Sequence, residues 1–166
     1  MASITFKGNT IKTVGDLPKV GHQAPDFTLT NDSLQDVSLK DFSGKRLVLN
    51  IFPSIDTGIC AMSARHFNGE ASSLENTVVM NVSKDLPFAQ KRFCGAEGLE
   101  NVQNASGFKN HGFSANYSVI MEEGPLAGLF SRAVVVIDEA GKVIYTEQVP
   151  EIVQQPDYDS ALASLK

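Results

Sequence analysis

Three short runs of aliphatic and β-branched residues, at positions 47–52, 77–82 and 133–137, constrain this chain more than any other feature. The first, Leu47-Val48-Leu49-Asn50-Ile51-Phe52, is nearly all apolar. Strands of that kind belong in the middle of a sheet covered on both faces. The segments between the runs must therefore supply covering helices. Cys60, Ala64, Phe67, Ala71 and Leu74 follow one another at spacings of 4, 3, 4 and 3, which is one face of a helix. Asp85-Leu86-Pro87 opens a second helix with a cap candidate and a proline near its first position, and Gly95 and Gly98 are read as its end.

The remaining elements follow from turn chemistry. Residues 4–14 alternate around Gly8-Asn9 and predict an N-terminal β-hairpin. Phe27-Thr28-Leu29 reads as a short extended piece, and residues 38–42 close in a helical turn at Ser43-Gly44. Glu139-Ala140-Gly141 links the run at 133–137 to one at 143–149, and so short a link demands an antiparallel pair. A capped helix at 157–165 closes the chain, while the Asn- and Gly-rich stretch 100–121 carries no clear pattern. A parallel βαβ unit followed by an antiparallel ββα unit predicts a thioredoxin-like fold of class α/β, a mixed sheet flanked by helices with an added N-terminal hairpin. With 166 residues the chain is read as a single domain, 1–166, large enough to bury roughly 70 % of its unfolded surface without a disulfide staple.

Charge and targeting narrow the function. Fourteen Lys and Arg against nineteen Asp and Glu leave a net charge of −5 with no basic stripe, which argues against nucleic acid and anionic membrane as partners. No run of about eighteen apolar residues is present and the first ten residues lack a secretory pattern, so a cytoplasmic location is expected. In a reducing compartment a cysteine pair is more often redox-active or metal-binding than structural. The two cysteines and three histidines show no C-x-x-C or H-x-x-x-H spacing, so neither a metal nor a cofactor is expected. Gly124-Pro125-Leu126-Ala127-Gly128 lacks the Lys-Ser/Thr of a phosphate loop and reads as a turn at the rim of the site.

Cys60 is the leading candidate for chemistry. It falls in the first turn of its helix after the polar Asp56-Thr57-Gly58, and the thiolate, the reactive form of a cysteine, is favoured at a helix N-terminus. Thiolate formation alone accomplishes little. Lowering a thiol's pKa from about 8.5 to about 6 raises its thiolate fraction at pH 7 about thirtyfold but lowers its nucleophilicity about tenfold. A fast thiolate site must also polarise its electrophile with donors aimed at the developing charge. Thr57 offers a hydroxyl for that purpose, and its spacing fits a plain helix N-cap equally well. Of the imidazoles, His66 is six residues beyond Cys60, about 240° around the helix, and points away. His22 and His111 fall in loops.

Pro53-Ser54-Ile55-Asp56-Thr57-Gly58-Ile59-Cys60 fits the Pro-x-x-x-Thr-x-x-Cys signature of the peroxiredoxins. The longer stretches NIFPSIDTGICA, DLPFAQKRFCGAEGLENV, GPLAGL and RAVVVID resemble the bacterial thiol peroxidases, the atypical two-cysteine branch, and the resemblance extends over nearly the whole chain. It implies that Cys60 is the peroxidatic cysteine, attacking a small hydroperoxide and becoming a sulfenic acid. Thr57 would hydrogen-bond thiolate and peroxide, Pro53 would shield the site, and Arg132 would hold and orient the reacting groups. Cys94 would be the resolving cysteine, forming an intramolecular disulfide that thioredoxin reduces. A homodimer and alkyl or lipid hydroperoxide substrates are implied in the same way. Cys94 stands between Phe93 and Gly95 at a helix end that can fray, which suits a cysteine that must travel. The thiol and disulfide forms are therefore expected to differ most over residues 86–98. Phe88, Phe93 and Phe113 stand in segments that could give the site an apolar approach.

Met62, His66, Lys84 and the pair Phe130-Ser131 depart from the pattern of the family, none of them at Pro53, Thr57, Cys60, Cys94 or Arg132. They bear on substrate preference and reductant docking. Two rival readings are a thioredoxin-type disulfide exchanger, which normally has a cysteine where Thr57 stands, and a non-catalytic thioredoxin-fold binding or chaperone module.

Overall fold

The computed structural model describes residues 2–109 and 112–166. Its strands are β1 (Ser3–Phe6), β2 (Asn9–Lys12), β3 (Thr28–Asn31), β4 (Asp36–Ser38), β5 (Arg46–Ile51), β6 (Thr77–Ser83), β7 (Gln103–Ser106), β8 (Ala133–Ile137) and β9 (Val143–Gln148). Its α-helices are α1 (Gly58–Ala71), α2 (Pro87–Glu97), α3 (Gly112–Tyr117) and α4 (Tyr158–Ala163). Seven strands form one mixed sheet in the order β4-β3-β7-β6-β5-β8-β9, and β1 and β2 make a separate hairpin.

The three apolar runs occupy the centre, as their composition requires. β5 pairs parallel with β6 and antiparallel with β8, and β8 pairs antiparallel with β9. Alternate residues point to opposite faces. Leu47, Leu49, Ile51, Met80, Val82 and Val135 join Phe27, Phe113, Tyr117 and Phe130 on one side. Val48, Val79, Val134 and Val136 meet Phe67 and Ala71 of α1, together with Ala161 of α4 and Leu165, on the other.

Several turns and helix ends differ from those the sequence predicts. The hairpin turn is Lys7-Gly8, at φ 50° and 83°, one residue earlier than Gly8-Asn9; two consecutive left-handed residues match the twist of the flanking strands. Gly95 lies inside α2, which continues to Glu97 and ends on Gly98 at φ 68°, where the missing Cβ makes a left-handed cap inexpensive. The stretch without a pattern contains β7 and α3, and the edge strand β4 is an addition to the predicted elements.

The hairpin is tied to the end of the chain. Thr5 exchanges backbone hydrogen bonds with the 150–152 strap, its N–H donating to the Pro150 carbonyl at 2.8 Å and its carbonyl accepting from Ile152 at 2.8 Å. Ile4 and Ile11 bury their side chains against Ile152 and Met121. No helix among the described residues is long and apolar enough to cross a membrane.

Candidate active site

Sheet register brings the site together. Because β5 and β8 run antiparallel with Ile51 opposite Ala133, Arg132 stands at the end of β5 from which the chain turns into α1. The chain leaves that strand through the buried Phe52 and Pro53 and turns at Ser54–Asp56. α1 then begins behind Thr57, its N-cap. Cys60 is fully buried, and Arg132 is 2 % exposed. Arg132 Nη1 donates to Cys60 Sγ at 3.2 Å, and Nε donates to the Ile152 carbonyl at 2.7 Å. The cysteine sulfur thus faces a fixed guanidinium from within the first turn of α1, and both the cation and the helix N-terminus favour negative charge there. Phe52, Ile55 and Ala64, with half-buried Phe93 and Leu99, form an apolar collar around Cys60.

Thr57 fills the N-cap role that its spacing allowed: its Oγ1 accepts the Cys60 N–H at 3.4 Å and donates to the Ser54 carbonyl at 3.1 Å. One cap therefore fixes both the start of α1 and the turn before it.

Asp85, expected to cap α2, instead holds the loop in front of Cys60. The N-cap of α2 is Leu86, with Pro87 following. Asp85 Oδ2 accepts the Ile55 N–H at 2.8 Å and the Ser83 hydroxyl at 2.6 Å, while Oδ1 accepts from Ser54 Oγ at 2.8 Å. A carboxylate, which only accepts, is suited to gather three donors.

Cys94 belongs to a different setting. Both cysteines are free thiols, and Cys94 lies on the inward face of α2 with Pro87 and Gln90. On the facing side of the sheet, Asn50, Asn81 and Asn104 stand side by side on β5, β6 and β7 and are all buried. Asn50 Nδ2 donates to Asn81 Oδ1 at 3.1 Å, Asn81 Nδ2 to Asn104 Oδ1 at 3.5 Å, and Asn104 Nδ2 to Cys94 Sγ at 3.3 Å. Asn50 also reaches Ser63 Oγ at 3.3 Å, which donates to the Cys60 carbonyl at 2.9 Å. A ladder of amides thus spans the sheet between the two cysteines. Burial pushes the Cys94 thiol up from its ordinary pKa, opposed by the Asn104 hydrogen bond and reinforced by the charge of Asp32.

The loop-pinning role of Asp85 and the ladder of the three asparagines are not legible in the sequence alone. The available signal was an asparagine inside each of two apolar runs, Asn50 and Asn81, since buried amides are placed to bond one another.

Other candidates lie elsewhere. His66 is exposed and stacks on Tyr158 at 3.8 Å, and His22 is exposed. His111 lies outside the described residues. Phe113, read as lining an approach, is fully buried in the core against Phe27, Tyr117 and Phe130 because α3 packs onto the opposite face of the sheet. Phe88 is 66 % exposed on α2, which leaves Phe93 as the one of the three beside Cys60. The 124–128 turn lies against the N-terminal hairpin, with Leu126 packed on the Ile4 and Ile11 cluster. Met62 is exposed, and the Lys84 ammonium sits 6.0 Å from the Phe130 ring.

The Redoxin family profile matches residues 19–162. The chain is 54 % identical over 165 residues to a thiol peroxidase of Corynebacterium glutamicum, covering 99 % of both chains. It is 56 % identical, with the same coverage, to a thiol peroxidase of Mycobacterium tuberculosis. Its structure superposes on a peroxiredoxin-like protein from Aquifex aeolicus with a TM-score of 0.92 at 37 % identity, over 98 % of this chain and 95 % of that one.

Proposed function

Since the chain belongs to the Redoxin family, as one of its thiol peroxidases, we propose that it reduces hydrogen peroxide and organic hydroperoxides through Cys60, with Cys94 as the resolving cysteine and thioredoxin as the reductant. The observation that carries the reading is the buried Arg132 guanidinium, 3.2 Å from the Cys60 sulfur at the start of α1.

The Cys60 thiolate attacks the terminal oxygen of the hydroperoxide. The O–O bond breaks, sulfur gains the oxygen as a sulfenic acid, and the alkoxide takes up a proton and leaves as alcohol. Arg132 offsets the negative charge passing from sulfur to the leaving oxygen, and the Thr57 hydroxyl orients the peroxide over the first turn. Pro53 and the Phe52 and Phe93 collar exclude water and favour an organic peroxide over hydrogen peroxide. The Cys94 thiolate then attacks the Cys60 sulfur and displaces hydroxide, which leaves as water with the thiol proton. A thioredoxin dithiol returns the two electrons and regenerates both thiols. The reading includes a homodimer working in a cytoplasm that supplies reduced thioredoxin.

Peroxide consumption in the presence of thioredoxin and its reductase, by the wild type and by Cys60→Ser, tests it. Consumption is expected to vanish in the variant, and equal rates would overturn the reading. A thioredoxin-type disulfide exchanger is disfavoured because Thr57 stands where that chemistry needs a second cysteine.

A further inference from the structure

We infer that Gln90 is a positioning residue whose buried side-chain carbonyl, unpartnered among the described residues, keeps α2 poised to release Cys94, and so sets how the Cys60 sulfenic acid divides between disulfide formation and overoxidation. The inference rests on the roles proposed above for the two cysteines.

The inward face of α2 is built from Pro87, Gln90 and Cys94. Two of these three make polar contacts with the sheet. Gln90 Nε2 donates to Ser83 Oγ at 3.1 Å and to the Ala105 carbonyl at 3.1 Å, and Asn104 holds Cys94 while also donating to the main-chain carbonyl of Gln90 at 3.5 Å. A carbonyl only accepts, so Ala105 fixes which end of the Gln90 amide is the nitrogen. The amide oxygen must then point the other way. Gln90 is 1 % exposed, and its Oε1 has no hydrogen-bond partner among the described residues.

A buried acceptor left without a partner penalises the docked helix and is relieved when the segment opens to water. The hydrogen bonds that Gln90 and Cys94 make in the seam are likewise exchanged for bonds to water on opening, so they resist it less than apolar burial would. The outer face adds little restraint. Its Arg65–Glu97 and Arg92–Asp56 ion pairs, at 2.9 and 3.6 Å, are solvent-exposed. Cys94 can therefore leave the sheet quickly after Cys60 is oxidised, before a second peroxide converts the sulfenic acid to sulfinic acid with loss of another alcohol.

Two variants that keep the length of the side chain separate this role from simple damage to the helix. Gln90→Met removes the orphan acceptor and substitutes apolar contact, at the cost of the Nε2 bonds to Ser83 Oγ, which keeps the Asp85 N–H, and to the Ala105 carbonyl; on balance it is expected to slow the exchange of α2 amides and disulfide formation about threefold each. Overoxidation at a fixed peroxide excess rises with it, and the rate at which Cys60 takes up the first equivalent of cumene hydroperoxide stays at the wild-type value. Gln90→Glu places a charge in the seam and is expected to have the opposite sign, with faster exchange and faster disulfide formation. Acid-quenched time points resolved by mass, with hydrogen exchange on the reduced proteins, read all four quantities. If both variants loosen α2, or if Gln90→Met forms the disulfide at the wild-type rate, the inference is overturned. Gln90→Leu stands in if Gln90→Met does not fold. Failure of the wild type to form a Cys60–Cys94 disulfide at all would overturn the proposed cycle instead.

Discussion

Arg132 Nε donates to the Ile152 carbonyl at 2.7 Å while Nη1 of the same guanidinium donates to Cys60 Sγ at 3.2 Å, so the group facing the sulfur is aimed from behind by backbone. Arg132→Ala removes a fixed donor and is expected to slow attack of Cys60 on peroxide about a hundredfold, close to 3 kcal/mol. Because Arg132 is among the largest fully buried side chains, the same change also costs about 2–4 kcal/mol of stability through the cavity and the freed carbonyl. Arg132→Lys keeps the charge but cannot serve both partners, and should lie between. Single-turnover peroxide consumption and urea unfolding measure the two effects, and a wild-type attack rate in Arg132→Ala would remove the guanidinium from the chemistry.

Thr57→Ala removes the acceptor of the Cys60 N–H and is expected to cost about 1 kcal/mol of stability through the lost cap. If the hydroxyl also orients peroxide, the attack rate falls further than in Thr57→Ser, which preserves the cap. Comparison of single-turnover rates for the pair checks this.

Asp85→Ala frees Ile55 N–H and the Ser54 and Ser83 hydroxyls from one carboxylate. The expected loss is about 2–3 kcal/mol in equilibrium unfolding, with a slower first turnover because the turn leading to Cys60 is no longer pinned. An unchanged first-turnover rate would show that the turn holds its shape without Asp85.

Cys94→Ser keeps Cys60 and its surroundings and is expected to complete one peroxide turnover, then stall or proceed to sulfinic acid. Mass analysis after stepwise peroxide addition tells these outcomes apart. Undiminished thioredoxin-driven turnover would deny Cys94 its resolving role.

Burial raises the Cys94 thiol pKa in the docked helix, so the docked state holds that proton more tightly than the open one. The contribution to docking is full below the ordinary thiol pKa and is lost as pH rises through the raised value. In Cys60→Ser, where Cys94 is the only thiol, ultraviolet titration of the thiolate should therefore give a midpoint above the ordinary thiol value. Tyr145 and Tyr158, both pushed up to about 12 chiefly by burial, ionise above the ordinary tyrosine range and leave the thiol signal clearer. A midpoint at or below the ordinary value would contradict the burial argument.

The parts of the site legible in the sequence are those that local spacing specifies. Thr57 and Cys60 are three residues apart, and helical geometry alone puts the hydroxyl under the cysteine N–H. The central strands were legible because a run such as 47–52 has no other place to go. Arg132 was legible as the residue preceding a buried strand, but its burial depends on the Ile51–Ala133 register and on the Ile152 strap, which no local pattern encodes. The amide ladder was hidden for the same reason, since Asn50, Asn81 and Asn104 meet only once three strands pair, and the third strand lies in the stretch 100–121 that carries no periodic signal. Gly95 misled because a glycine inside a helix looks like a helix end until Gly98 supplies the left-handed cap.

The N-terminal hairpin makes no contact with the Cys60 cluster among the described residues, yet it holds one side of the strap whose carbonyl aims Arg132. It works as a buttress, carrying alignment from the first dozen residues to the guanidinium that faces Cys60. Trimming the N-terminus, or appending a tag that prises β1 from Pro150 and Ile152, is therefore expected to disturb the seat of Arg132 as well as the hairpin.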